Sequence, residues 1–446
     1  MKKIIGGAIL LLVSGAVWAD STAFVNVNVI SMESGDVLPS RTVIVTDGVI
    51  EAIGAFDETP LTGDTIVIDG TDRYLIPGLA EMHGHVPGGS SASLERVLSL
   101  YVANGVTTVR GMLGQPSHLE LRDKLDRGDV LGPRLITSGP SFNGQSVRSP
   151  RQATEMVRAQ HAAGYDFLKI HPGLTRGEFD AMAETANELG IPFAGHVPED
   201  VGVAHALAAG IATIDHLDGY MQSLLRPNED PSGGLGGFFG VFIADLADET
   251  RIDEIARMTA DAGTWNVPTQ SLFEHVTSPS LPIATLAARP EMQYMSASTV
   301  AQWENSKKQL QDDANYVPAT ASRAIDIRRQ LLRALDASGA GLLLGSDSPQ
   351  IFNVPGFALH HELDLMVEAG LTPLTALRSG TVNPARFFGL DEKLGDVRAG
   401  HEADLVLLDA NPLADIANSR RIHGVMLRGR WLSRAELDGI LQRFER

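Results

Sequence analysis

YLIPGLAEMHGHV, residues 74–86, decides how the rest of the chain is read. It runs as an apolar strand and closes on His83 and His85, with Gly84 between them. Residues two apart on a strand share a face. Two imidazoles on the inner face of an apolar strand need polar partners. Those partners must come from elsewhere in the chain.

Downstream of this stretch, short apolar segments recur: GVTTVRGM, RLITSGP, DFLKIHPG, IPFAGHV, IATIDHL, TWNVPTQ and GLLLGSDS. Helix-like segments such as RQATEMVRAQHAAG and TRGEFDAMAETANELG separate them, several ending on a glycine stop. Strand–helix alternation of this kind predicts a parallel sheet with crossover helices. Eight units over residues 77–394 fit an α/β (β/α)8 TIM barrel. An open doubly wound sheet is the rival, but no glycine-rich dinucleotide fingerprint follows the first strand.

Residues 20–76 and 395–432 have another texture, with short alternating strands and turns such as Asp47-Gly48. They predict one small β-sandwich built from both ends of the chain. Residues 433–446 predict a C-terminal helix, with Ser433 and Glu436 spaced as a capping box. Two connections read as long: 224–240, whose GGLGG run allows a flap or a plain insertion, and the stretch from Phe273 towards Pro318.

The polar residues that close the apolar strands carry the chemistry. They are His83 and His85, Lys169, His196, His216 and Asp347. Each alone has an ordinary structural reading: a satisfied histidine, a lysine reaching solvent, an aspartate capping a turn. Together they converge on the end of a barrel where enzymes keep their sites. Neutral imidazoles and a carboxylate are donors suited to a zinc-like dication.

This pattern resembles the amidohydrolase superfamily of metal-dependent hydrolases, in its imidazolonepropionase-like and dipeptidase-like branch. The resemblance spans nearly the whole chain and includes the exit phrase LTPLTALRSGTVNPARFFGL. It implies His83, His85, Lys169, His196, His216 and Asp347 as metal ligands, with two divalent ions, zinc expected, and a carbamate on Lys169. An unmodified Lys169 beside one metal is the competing arrangement. Glu81 stands where the family's opening motif has aspartate. The resemblance further implies hydrolysis of an amide or cyclic amide by metal-bound hydroxide, with Asp347 as general acid and base. Small peptides and N-acyl amino acids are the substrate class expected. Lactonase, esterase or phosphotriesterase activity is the alternative, and a deaminase or a periplasmic solute-binding protein are further ones. Arg110, His171 and Tyr220 are candidate substrate-binding residues.

A net charge of −19 argues against nucleic acid and anionic membranes as partners. The partner expected is a small-molecule substrate, with a homo-oligomer compatible. There is no cysteine, so disulfides and thiolate ligands are excluded. Residues 1–19, with Lys2 and Lys3 before an apolar run and Ala19 before Asp20, read as a signal peptide. A secreted, periplasmic protein with no stable membrane insertion after cleavage is expected.

Overall fold

The computed structural model describes residues 21–61, 63–88, 91–227, 229 and 236–446. The expected leader, 1–19, and Gly233 and Gly234 of the expected flap lie outside the described residues.

The chain opens with β1 (Ser21–Ile30), β2 (Val37–Thr46), β3 (Val49–Ala55), β4 (Ile66–Asp69) and β5 (Tyr74–Pro77). Seven short strands follow: β6 (Leu79–Gly84), β7 (Val106–Gly111), β8 (Arg134–Thr137), β9 (Leu168–Ile170), β10 (Phe193–Gly195), β11 (Thr213–Asp215) and β12 (Trp265–Val267). Three more, β13 (Leu405–Leu408), β14 (Ile422–Leu427) and β15 (Arg430–Ser433), return to the first five. The sheet order is β15-β14-β13-β5-β1-β2-β3, with β4 paired to β1. Residues from 20–76 and 395–432, expected to form a small β-sandwich, are therefore hydrogen-bonded as one continuous sheet. The physical reason is that β5 pairs with β1 through Asn28–Tyr74 and with β13 through Leu405–Pro77, which joins the halves. The sheet folds back over its own core. Phe24 of β1 meets Trp431 of β15 edge-on, with centroids 5.3 Å apart, although three strands separate them.

The middle strands form a TIM-barrel-like α/β layout. β6-β7-β8 and β9-β10-β11-β12 are parallel throughout. A parallel bridge from Ser138 to Phe167 joins the two sets. Residues 341–348 complete the circuit through bridges from Leu342 to Asn266 and from Ser348 to Gly84. Gly84 is closely packed: a Cβ there would stand 2.9 Å from Val109 Cγ1 and 3.0 Å from Tyr101 Oη on the helix Ser91–Ala103.

Local sequence sets the helix ends. Ser149 accepts from Gln152 N ahead of helix Pro150–Ala163, and Gly164 ends that helix in the left-handed region. Thr175 and Glu178 form a capping box on helix Arg176–Leu189. Ser433 and Glu436 do the same for helix Arg434–Gln442. The expected long connection after Phe273 is instead largely helical. It holds Gln270–Thr277, Ile283–Ala287 and Ala297–Gln311, the last capped by the Ser296 hydroxyl. Among the described residues no helix is long and apolar enough to cross a membrane.

Candidate metal centre

The six polar strand-end residues meet at the C-terminal ends of the parallel strands. His83 is buried, and its Nε2 lies 3.5 Å from Asp347 Oδ1. His85 Nε2 lies 2.5 Å from the same oxygen. Donor atoms of His83, His85 and Asp347 all fall within 4.8 Å of one another, close enough to share one ion. His216 extends this group, its ring centroid 4.4 Å from that of His83, and His196 follows at 4.7 Å from His216. These two histidines stand alongside the tight trio and outside it. Lys169 is fully buried, and its Nζ has no hydrogen-bond partner. The nearest carboxylate oxygen is Asp215 Oδ2, 3.8 Å away.

Strand geometry delivers only some of these side chains. Glu81, His83 and His85 follow from the alternation of β6. His216 and Asp347 do not, because both sit in the left-handed region, at φ 64° and 60°. Each turns its side chain into the mouth where the strand ends. Backbone of this kind is strained in non-glycine residues and persists where the surroundings hold it, often at functional sites. His196 follows Gly195, whose φ is 127°. A Cβ at Gly195 would lie 2.4 Å from Ile170 O, so only glycine lets β10 approach β9 there.

Burial fixes the protonation states that ligation requires. It holds His83 and His216 well below the ordinary imidazole range, so both are neutral with a lone pair to offer. Burial also lowers the Lys169 amine to about 8, against the pull of Asp215 and Asp347. His171 is held down to about 2, chiefly by burial and then by the Lys169 charge. Neutral imidazoles, a carboxylate and an unpartnered buried amine are a donor set that fits divalent cations.

A ring of partners behind the donors escaped the sequence reading. Asp215 Oδ2 stands 2.9 Å from His83 Nδ1, and Asp215 Oδ1 accepts from Thr213 Oγ1 at 2.7 Å. Asp218 Oδ2 lies 2.9 Å from His196 Nδ1, and Thr269 Oγ1 lies 2.8 Å from His216 Nδ1. Carboxylates and hydroxyls on the far ring nitrogen are how ligating histidines are oriented. Glu81 accepts from His83 N at 3.0 Å and Ser346 N at 2.8 Å, and from the Ser346 hydroxyl. It ties β6 to the closing segment, and burial raises its carboxyl to about 8.

Of the three candidate substrate-binding residues, two are placed elsewhere. Arg110 is 1% exposed and lies beneath the donor layer. Its guanidinium donates to Met82 O at 2.7 Å and to Thr213 Oγ1 and Asp215 Oδ1, both at 3.2 Å. It borders a cavity of about 440 Å³ with Phe167, Pro192, Ala194 and Phe387, at the opposite end of the strands from the donors. It therefore fixes Asp215, and no fork is left facing the mouth. Tyr220 is fully buried, its hydroxyl 2.8 Å from Asn266 Oδ1 and 3.0 Å from Thr259 Oγ1, which makes it a packing residue. His171 does reach the site. It is half-buried, its ring stacks on His196 at 5.2 Å, and its Nδ1 has no partner.

Comparison with known proteins places the chain in a family. Imidazolonepropionase from Idiomarina loihiensis is 23% identical over 400 residues, covering 85% of this chain and 88% of the relative. The structure of bottromycin amidohydrolase superposes with a TM-score of 0.71 at 25% identity, covering 95% of this chain and 90% of that one. A Xaa-Pro dipeptidase solved with methionine in its active site superposes at 0.67 and 20% identity, covering 93% and all of that chain. The chain spans about half, 53%, of an adenine deaminase from Rhizobium meliloti that it also matches. The amidohydrolase family profile matches residues 74–432, most of the chain, so this protein belongs to the amidohydrolase family, enzymes that hydrolyse carbon–nitrogen bonds.

Proposed function

We propose that the protein is a secreted, metal-dependent amidohydrolase that opens an amide or cyclic amide bond in a small molecule, with short peptides and N-acyl amino acids as its substrate class. The observation that carries this reading is the fully buried Lys169 amine, unpartnered among imidazoles and the Asp347 carboxylate. An amine held near 8 is neutral often enough at neutral pH to add carbon dioxide. As a carbamate, Lys169 would be an anionic ligand shared by two ions. His83, His85 and Asp347 would hold one, and His196 and His216 the other, with zinc suited to these donors. When bound, the ions supply an activated water and polarise the scissile carbonyl.

The chain's own residues do the rest. Asp347 is the carboxylate placed to take a proton from the attacking water and return it to the leaving nitrogen. Asp218 and Thr269 hold His196 and His216 at their far nitrogens and fix their tautomers, and the Asp215 carboxylate faces His83 Nδ1 at 2.9 Å. His171, stacked on His196, is the candidate to orient the substrate. The same reading keeps the division expected from sequence: a leader at 1–19, a β unit from 20–76 with 395–432, a catalytic barrel over 77–394 and a helix over 433–446. Export to the periplasm follows from the leader.

The test is a screen of zinc-loaded protein against dipeptides, N-acyl amino acids, lactones and phosphotriesters. Hydrolysis of the amides, abolished by chelation and restored by zinc, is expected. Turnover confined to lactones or phosphotriesters would move the assignment to the ester-cleaving alternative.

A further inference from the structure

One aromatic residue stands over the donors without a place in the chemistry above. Phe239 lies in the short turn Phe238–Gly240, at φ 49° and ψ 41°. This is the left-handed region, which a bulky side chain occupies only when its surroundings hold it there. The turn is fixed on both sides. Phe242 N donates to Gly236 O at 3.1 Å, and Val241 N to Phe238 O at 3.2 Å. A Cβ on Gly240 would stand 2.5 Å from Met221 Cβ, so the turn is seated directly on the helix Tyr220–Ser223.

What this backbone delivers is a flat ring laid on the expected ligands. The Phe239 ring stacks on His216 at 4.8 Å and 17°, and on His196 at 5.9 Å and 23°. Phe238 packs against Phe239 at 4.4 Å and stacks on Phe273 at 6.4 Å. Phe239 itself is only half-buried. Part of its surface therefore remains available beside the histidines, as an apolar wall. A flat apolar group on a ligand held at His196 and His216 would meet that wall, and aromatic contacts of this kind favour flat partners.

We propose that Phe239 is a specificity-determining residue that selects substrates carrying a flat, apolar group beside the scissile carbon–nitrogen bond. This rests on the amidohydrolase reading above and narrows its substrate class.

The test measures binding by calorimetry, with metal content read separately. The probes are benzohydroxamate and acetohydroxamate, which share a metal-chelating head and differ in the group beside it. Zinc-loaded wild type is expected to bind benzohydroxamate at least about fivefold tighter, as an aromatic contact implies. Phe239→Ala is expected to erase that preference while zinc content and acetohydroxamate affinity stay unchanged. Phe239→Leu, which keeps apolar bulk without the flat face, should retain part of it. A preference that survives in Phe239→Ala overturns the inference, as does equal tightening of both probes, which would make the ring a mere obstruction. Normal zinc content with no preference in wild type overturns this inference alone. A wild type that takes up no zinc overturns the zinc-dependent mechanism proposed above and this inference with it.

Discussion

Two buried cations lie close together in this fold and are treated in opposite ways. Arg328 is 1% exposed, and each of its nitrogens donates: Nε to Gln270 Oε1 at 3.0 Å, Nη1 to His216 O at 2.6 Å, Nη2 to Pro268 O at 2.8 Å. Its guanidinium also lies 4.2 Å from the Phe273 ring. Lys169 is as deeply buried and donates to nothing. Buried polar groups in folded proteins are mostly satisfied, so a bare amine beside the expected ligands stands out. Arg328 is a strut between strand ends; Lys169, in the function proposed above, is a metal ligand. Two histidines repeat the contrast. His360 uses both nitrogens, on Ser419 Oγ at 2.9 Å and Asn104 O at 3.1 Å, whereas His171 Nδ1 is unpartnered.

Substitutions test that contrast. The largest effect expected is on turnover. Asp347→Asn should fold normally and lose activity by about 10³-fold, within the range for a positioned acid–base group. Steady-state kinetics beside a thermal melt decides it, and near-wild-type turnover would remove Asp347 from its role.

Next come the two cations. Arg328→Met should destabilise the protein by about 3 kcal/mol or more, because it leaves carbonyls and Gln270 without their donor. Lys169→Met in metal-free protein should cost much less, since it removes a buried amine that makes no hydrogen bond and has only a 3.8 Å charge contact with Asp215. Denaturant melts of both variants test this, and equal losses would end the distinction between strut and ligand.

A smaller effect is expected at Asp215. Asp215→Asn should weaken metal affinity about 10- to 100-fold, the usual consequence of losing the partner behind a ligating histidine. Competition with a calibrated chelator measures it. Unchanged affinity would show that His83 is oriented by packing alone.

The smallest effect is a slope. Burial holds His360 down to about 3, below its value in the unfolded chain. Between about pH 6.5 and 3 the unfolded chain therefore binds one more proton at this residue, so its contribution is present above that window and is lost as pH falls through it. His360→Gln should flatten the wild-type decline in stability over this interval by up to about 1.4 kcal/mol per pH unit. Parallel pH profiles would show that His360 is not the titrating group.

The sequence made the donors legible because each is a polar residue at the end of an apolar run. Alternation along β6 and β9 also placed His83, His85 and Lys169 on inner faces. Alternation stops being a guide where the strands end. His216 and Asp347 enter the mouth through left-handed backbone, which no residue pattern announces. Asp215 escaped notice because it adjoins His216, and its role depends on β11 lying across the ring from His83. Inward alternation of Thr213 and Asp215 was the signal that could have found it. Arg110 shows the converse: an arginine near a strand end suits either a substrate carboxylate or a structural ion pair, and a carboxylate distant in sequence claims it. The helices after Phe273 were hidden by proline and serine, which here start and cap them at Ser296 and Pro318.

In the function proposed above, the Lys169 cluster is built around two metal ions. The direct measurement is elemental analysis of purified, zinc-saturated protein beside Lys169→Ala, with activity followed in the same samples. Two ions per wild-type chain at full activity are expected, with at least one ion and most of the activity lost in the variant. Full wild-type activity with one ion or none, or a Lys169→Ala protein that keeps both ions, would contradict it.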